Sequence, residues 1–160
     1  MSPHPLCTHY HATFSSNEKN ILKWGLRRDH KRIWGCSGKK FVYLAKSYDE
    51  ALWWILQWYQ YNLWDMVSKE SDYTWGNLWG GFGVERLESL MTKVPMIDDG
   101  VVVFGIDTRG LNVITRCENP EEEPIDYIVE GDISEVYLRV IGREPAEKVK
   151  RWLHKKIEIQ

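Results

Sequence analysis

The sequence predicts a single α+β domain, and three observations carry that prediction. The chain has 160 residues and is 43% hydrophobic, enough for one domain with a sizeable core. Its patterns run strand, helix, strand, helix, insert, then several strands and a last helix, which is not the regular βαβ alternation of a doubly wound sheet. Gly100-Val101-Val102-Val103-Phe104-Gly105-Ile106-Asp107 is an apolar run of strand length, the mark of a strand buried on both faces.

Residues 6–12 read as a first strand. Ser15-Ser16-Asn17-Glu18 follows as a helix start, with Ser15 as N-cap and Glu18 as its capping-box partner. That helix runs to about Trp24 and stops at Gly25. Arg27 to Lys40 is a loop carrying six Lys or Arg residues, with His30 and Trp34 among them and Gly35, Ser37 and Gly38 keeping it irregular. Phe41 to Ala45 reads as a short buried strand. Ser47 to Asp49 caps a helix from Glu50 to about Val67, whose residues Ala51, Leu52, Ile55, Leu56, Tyr59, Leu63, Trp64 and Val67 make a broad apolar face. Trp53, Trp54 and Trp58 widen that face, so cover on more than one side is expected.

A Trp-rich helix and loop insert occupies about 52–83; its second part, 68–83, is rich in Gly and Asn and reads as a loop anchored by aromatics. Val84 to Lys93 reads as one short helix. Leu111 to Thr115 is a further strand, and Glu118 to Pro124 an acidic turn. Asp126 to Val129 and Val136 to Ile141 are the last strands, with a tight Gly131-Asp132 turn between them. Pro145 opens a basic amphipathic helix through Lys156. No internal repeat is present.

Composition excludes several classes. A formal net charge of -2 gives no bulk argument for nucleic-acid binding, although local basic patches remain open. The cysteines, Cys7, Cys36 and Cys117, are too few and too scattered for a disulfide framework or a CxxC metal site. A reducing, cytoplasmic setting is expected. Met1 to Leu6 has neither a charged nor an apolar signal region, and no stretch is apolar enough to span a membrane. No GxxxxGK[ST], GxGxxG or GxSxG signature occurs. Nine tryptophans, seven of them from Trp34 to Trp79, imply a thick aromatic core or an exposed recognition surface.

His11 and Thr13 stand where a strand gives way to a helix, and can offer a donor and an acceptor to a sugar hydroxyl or an amide. A strand-end histidine and a helix-capping threonine are the plain alternative. His9, two residues before His11, shares its strand face; the pair has metal-ligand spacing, but no third ligand follows, and no metal is expected. Tyr43 is a core aromatic or a ring that stacks on a flat heterocycle. Asp126 or Glu130 can stabilise a developing cation, or is a solvated strand-end acid beside Glu121-Glu122-Glu123. The basic loop can grip phosphates or lie solvated.

Taken in order, these segments resemble the ADP-ribosyltransferase superfamily, and within it the poly(ADP-ribose) polymerase-like (H-Y-E type) branch. That branch opens its NAD site with Tyr-His-Gly-Thr/Ser; here it is Tyr10-His11-Ala12-Thr13. A helix and a Gly-Leu step follow, here Ile21-Leu22-Lys23-Trp24-Gly25-Leu26. Next comes a Tyr-Phe/Leu-Ala strand, then Ser and an Ala-bearing helix, here Tyr43-Leu44-Ala45-Lys46-Ser47 and Ala51. Last is Glu-Tyr-Ile-Val, here Asp126-Tyr127-Ile128-Val129. The likeness covers residues 9–52 and roughly 101–140; the Trp-rich middle is unmatched.

The resemblance implies two small twisted β-sheets around an NAD cleft, with flanking helices. It implies NAD as substrate and transfer of one ADP-ribose unit to a protein or nucleic-acid acceptor, with no membrane partner. His11 and Thr13 would hold the adenosine-side ribose, the backbone of Ala12 the nicotinamide amide, and Tyr43 the nicotinamide ring, with Ser47 nearby. Asp126, or Glu130 in another register, would hold the nicotinamide ribose and stabilise the oxocarbenium-like state. Arg28, Arg32, Trp34 and Trp75 border the expected cleft and are candidates for acceptor recognition. A toxin, a viral effector or a housekeeping modifier would fit such a domain. Two residues depart from the family pattern: Ala12 replaces glycine, and Asp126 replaces glutamate, shortening its reach by about 1.5 Å. They favour a second reading, a catalytically silent module that binds NAD, ADP-ribose or a partner protein. A third reading is an RNA 2′-phosphotransferase-like enzyme. That branch shares the His-Gly-Thr start but has His-Leu-Ser where this chain has Tyr43-Leu44-Ala45, and carries a preceding domain.

Overall fold

The computed structural model describes residues 7–27, 41–70, 84–116 and 126–159. The fold is α+β, with two three-stranded antiparallel sheets and a layer of helices. Its centre is the apolar run expected to be buried on both sides, the strand β3 (Val101–Ile106), all six residues of which are buried. β3 pairs on one side with β1 (His9–Phe14) and on the other with β6 (Leu138–Glu144). The second sheet has β5 (Asp126–Glu130) between β2 (Phe41–Leu44) and β4 (Val113–Arg116).

Strand periodicity divides the core in two. Val101 and Val103 face the helices α2 (Tyr48–Glu70), α3 (Val84–Met91) and α4 (Ala146–Ile159), and pack with Tyr59, Leu63, Leu90, Val149 and Leu153. Val102, Phe104 and Ile106 face the second sheet and pack with Val42, Leu44, Tyr127 and Val129. The first sheet is therefore the middle layer. Burying a side chain such as Phe104 contributes about 1.5–3 kcal/mol.

α2 has 23 residues, longer at both ends than the sequence suggested. Ala51, Ile55, Tyr59, Leu63 and Val67, each four residues from the last, form its buried stripe. The Tyr59 hydroxyl donates to the Met96 carbonyl at 3.0 Å, and burial pushes its pKa above the usual tyrosine range. Trp54, Trp58 and Trp64 pack beside the stripe as expected. Trp53 does not: it points outward and is 48% exposed, because the helix turns that position away from every layer.

Three local expectations change. The Ser15–Glu18 capping box does not form. Residues Ser15–Asn17 make a 3₁₀ turn, and α1 (Glu18–Trp24) starts after it without a side-chain cap. Glu18 instead makes a two-pronged ion pair with Arg143 of β6, at 2.8 and 3.0 Å. The turn at Gly131 does not join two strands of one sheet. Ile133 is clasped by Leu26 through two backbone hydrogen bonds, 2.9 and 2.8 Å, so the chain crosses from the second sheet to the first. A 3₁₀ turn, Glu135–Tyr137, then leads into β6, which starts later than expected.

Other signals hold. Gly25 ends α1 at φ 84°, a backbone conformation that favours glycine. Ser47 caps α2, its hydroxyl accepting the Glu50 N–H at 3.1 Å. Val84–Met91 is a helix, and α4 begins just after Pro145. The acidic turn 118–124 and the loop part of the insert, beyond residue 70, lie outside the described residues.

Candidate functional site

β1 is an edge strand, and its free edge opens a cavity. The cavity holds about 670 Å³, a volume suited to a small organic ligand. Its walls are β1 itself, β2, the end of α1 with Gly25-Leu26-Arg27, and one face of α2. Ala51, Trp54, Ile55 and Trp58 form that last wall, with the i, i+3, i+4, i+7 spacing of a single helical face.

Hydrogen-bond alternation decides what β1 offers. Ser15 N–H donates to Gly100 O at 3.1 Å, so odd-numbered residues along β1 turn their backbone groups toward β3. Tyr10 turns the other way and exchanges two backbone bonds with Ala45, at 2.9 and 2.7 Å. That bridge is isolated, because β2 then diverges from β1. Ala12, two residues on, presents its N–H and C=O to the same edge, where no strand among the described residues meets them. The edge thus displays one donor and one acceptor side by side, the complement of a primary amide. Ala12 is in extended strand conformation, since Met96 is the positive-φ non-glycine among the described residues. Alanine is therefore compatible with the position, and its methyl packs toward the helix-side core.

His11 and Thr13 alternate with Ala12 and share the opposite face of β1 with His9, as the spacing predicted. His11 Nδ1 donates to the Tyr43 carbonyl at 2.9 Å, which makes Nε2 the acceptor nitrogen of the neutral ring. Asn17 donates from its amide to Thr13 Oγ1 at 3.0 Å, leaving the threonine hydroxyl hydrogen to be donated. Val42 and Leu44 are buried in the inter-sheet core, so Tyr43 takes the other face of β2 and is half-buried in the cavity wall. The four residues 11, 12, 13 and 43 thus meet at one cavity.

The two candidate acids open and close β5, next to β2. In the strand register Glu130 lies opposite Phe41 and Ile128 opposite Tyr43 of β2. Asp126 lies opposite Arg116 of β4 in the register on the other side of β5. Ser47 is at the N-terminus of α2 as its cap and is not among the cavity-lining residues. Arg28, Arg32, Trp34 and Trp75 lie outside the described residues.

His9 joins a separate polar cluster. Its Nδ1 lies 3.1 Å from Thr108 Oγ1, which is 2.7 Å from Thr8 Oγ1, and its ring tilts against Tyr127 at 5.2 Å. Burial, helped by the charge of Lys46, lowers its pKa below the usual 6.5. Among the described residues no three His, Cys, Asp or Glu side chains converge as a metal group.

Sequence reading missed several lining residues: Asn17, Asn20, Trp24, Trp54 and Trp58. The α2 pair was legible as a helical face but read as core, which it also is. Asn17 was detectable only as Thr13 plus four.

No protein family, no curated protein and no solved structure matches this chain.

Proposed function

We propose that the cavity binds NAD and that the domain, of ADP-ribosyltransferase-like architecture, transfers one ADP-ribose unit to a macromolecular acceptor. The observation that carries this reading is the open edge of Ala12 beside Tyr43. A backbone N–H and C=O pair next to an aromatic ring suits a flat ring bearing a carboxamide, which is the shape of nicotinamide. His11 and Thr13 supply hydroxyl-binding groups on the adjoining face, as a ribose requires. In this reading Tyr43 stacks on the nicotinamide and the His11–Tyr43 hydrogen bond keeps strand and ring in register.

Cleavage of the nicotinamide–ribose bond builds positive charge at the anomeric carbon, and a fixed carboxylate stabilises that charge better than water. Asp126 is assigned this role, with Glu130, four residues further along β5, as the second candidate. Ser47 is left with its capping role. The shorter side chain of Asp126 favours the alternative, a module that binds NAD or ADP-ribose without turnover. Nicotinamide release from NAD, measured on wild-type protein and on Tyr43→Ala, tests the enzyme reading: release that Tyr43→Ala abolishes supports it, and equal release from a folded Tyr43→Ala protein overturns it.

A further inference from the structure

We propose that the rim of the cavity is a docking platform for single-stranded nucleic acid, whose base is the acceptor of the transferred group. The acceptor half rests on the NAD reading above; the docking half does not.

Six tryptophans lie among the described residues, and they divide sharply. Trp54, Trp58, Trp64 and Trp152 pack against the helix-side core. Trp24 and Trp53 do not, and are 56% and 48% exposed. An indole beside a cavity offers a broad apolar face and a polar N–H edge to a flat partner. Trp24 lines the cavity from α1; Trp53 lies outside the lining and meets the lining residue Trp54 of α2 edge to face at 4.9 Å.

The charge around Trp24 is positive. Lys23 Nζ sits 4.9 Å from the Trp24 ring centroid. Lys19 and Lys23 are one turn apart on α1, and Arg27, exposed, lines the cavity just beyond it. Among the described residues none of these three cations is in an ion pair, whereas Arg109, Arg143, Lys148 and Lys150 each are. Glu18, the acid of α1, is taken up by Arg143. In a chain of net charge -2, unpaired positive charge among the described residues thus gathers beside Trp24, whereas Trp53 stands one turn from Asp49 and Glu50 on α2.

Cations flanking open aromatic faces are the recognition chemistry of single strands: cations meet the phosphates, and indoles stack on unpaired bases. A duplex hides its base faces and offers the indoles nothing to stack on. In the transfer step the bond from the anomeric carbon to nicotinamide breaks, and nicotinamide leaves with the electron pair. A base nitrogen supplies the new pair and releases one proton.

The test is fluorescence anisotropy with a labelled twenty-nucleotide thymidine strand, a mixed-sequence strand and its duplex, at low and moderate salt. NAD binding is followed in parallel by calorimetry. Strands should bind more tightly than duplex and weaken with salt. Trp53→Ala and Lys23→Glu change exposed side chains outside the cavity lining; each should weaken strand binding about fivefold to tenfold and leave NAD affinity and the melting temperature unchanged. Equal binding of strand and duplex, or wild-type strand affinity in both variants, overturns the proposal. So does labelling of protein acceptors by a sample that neither binds nor modifies the strands. Strand binding weakened by both variants, in a protein that does not bind NAD, upholds the platform and overturns the NAD reading instead.

Discussion

Gly25→Ala probes the join between the fold and the cavity. Gly25 ends α1 at φ 84° and ψ -178°, a region that only glycine occupies without strain. A Cβ there would overlap the carbonyl oxygen of Ile133 and lie 3.0 Å from the Glu135 nitrogen. Conformational strain costs about 1–3 kcal/mol. Relieving the overlap pushes Ile133 away from Leu26 and forfeits their two backbone hydrogen bonds, at about 1 kcal/mol each. The expected loss is about 3–5 kcal/mol, a large part of a typical stability of about 5–15 kcal/mol. For a chain of this length it lowers the melting temperature by roughly 10 °C. Gly131→Ala is the matched control: φ is 87° there too, but an added Cβ meets nothing within 4 Å. It should cost only about 1–2 kcal/mol of backbone strain. Thermal and urea melts of the two variants decide the matter. Equal destabilisation would refute the steric argument and with it the Leu26–Ile133 clasp as the support of the cavity wall.

The remaining predictions concern site and core. His11→Ala should reduce NAD affinity at least tenfold by calorimetry while circular dichroism stays native, since it removes a hydroxyl-binding group and the tie to Tyr43. Asp126→Glu lengthens the carboxylate's reach by one methylene and, on the proposed role, should raise nicotinamide release; if Asp126→Ala is without effect and Glu130→Ala is inactive, the acid belongs to position 130. Phe104→Ala empties a fully buried site between the sheets and should cost about 3–5 kcal/mol in urea melts. The folded state holds the His9 pKa below 6.5 and so favours the neutral ring. The stability this gives is present above about pH 6.5 and is lost as pH falls from there toward the folded value. Chemical melts between pH 7 and 5 should show that loss in wild type and a flatter profile in His9→Gln.

Much of the fold was legible because burial imposes period. The run around Val102 and Phe104 has the length and β-branched content of a doubly covered strand, and the stripe from Ala51 to Val67 has the spacing of a helix. Gly25 and Ser47 carried their caps openly. What stayed hidden depended on partners distant in sequence. Glu18 has the spacing of a capping box, but Arg143 offers it a charged partner from 125 residues away. Gly131-Asp132 has the composition of a hairpin turn, but Ile133 finds Leu26 instead of a neighbouring strand. The site divides the same way. That His11 and Tyr43 stand on strands was readable, but not the hydrogen bond that joins them. The open edge at Ala12 follows only from where β2 leaves β1. Trp53 and Trp58 look alike in sequence, and only the layer order exposes one and packs the other.

The central claim is that the cavity at the free edge of β1 takes NAD and breaks it. Titration of the purified protein with NAD in a calorimeter, with the same samples assayed for nicotinamide, tests it most directly. Saturable binding with release of nicotinamide, both lost in Tyr43→Ala, is the expected result. Absence of binding by the folded wild-type protein would contradict it.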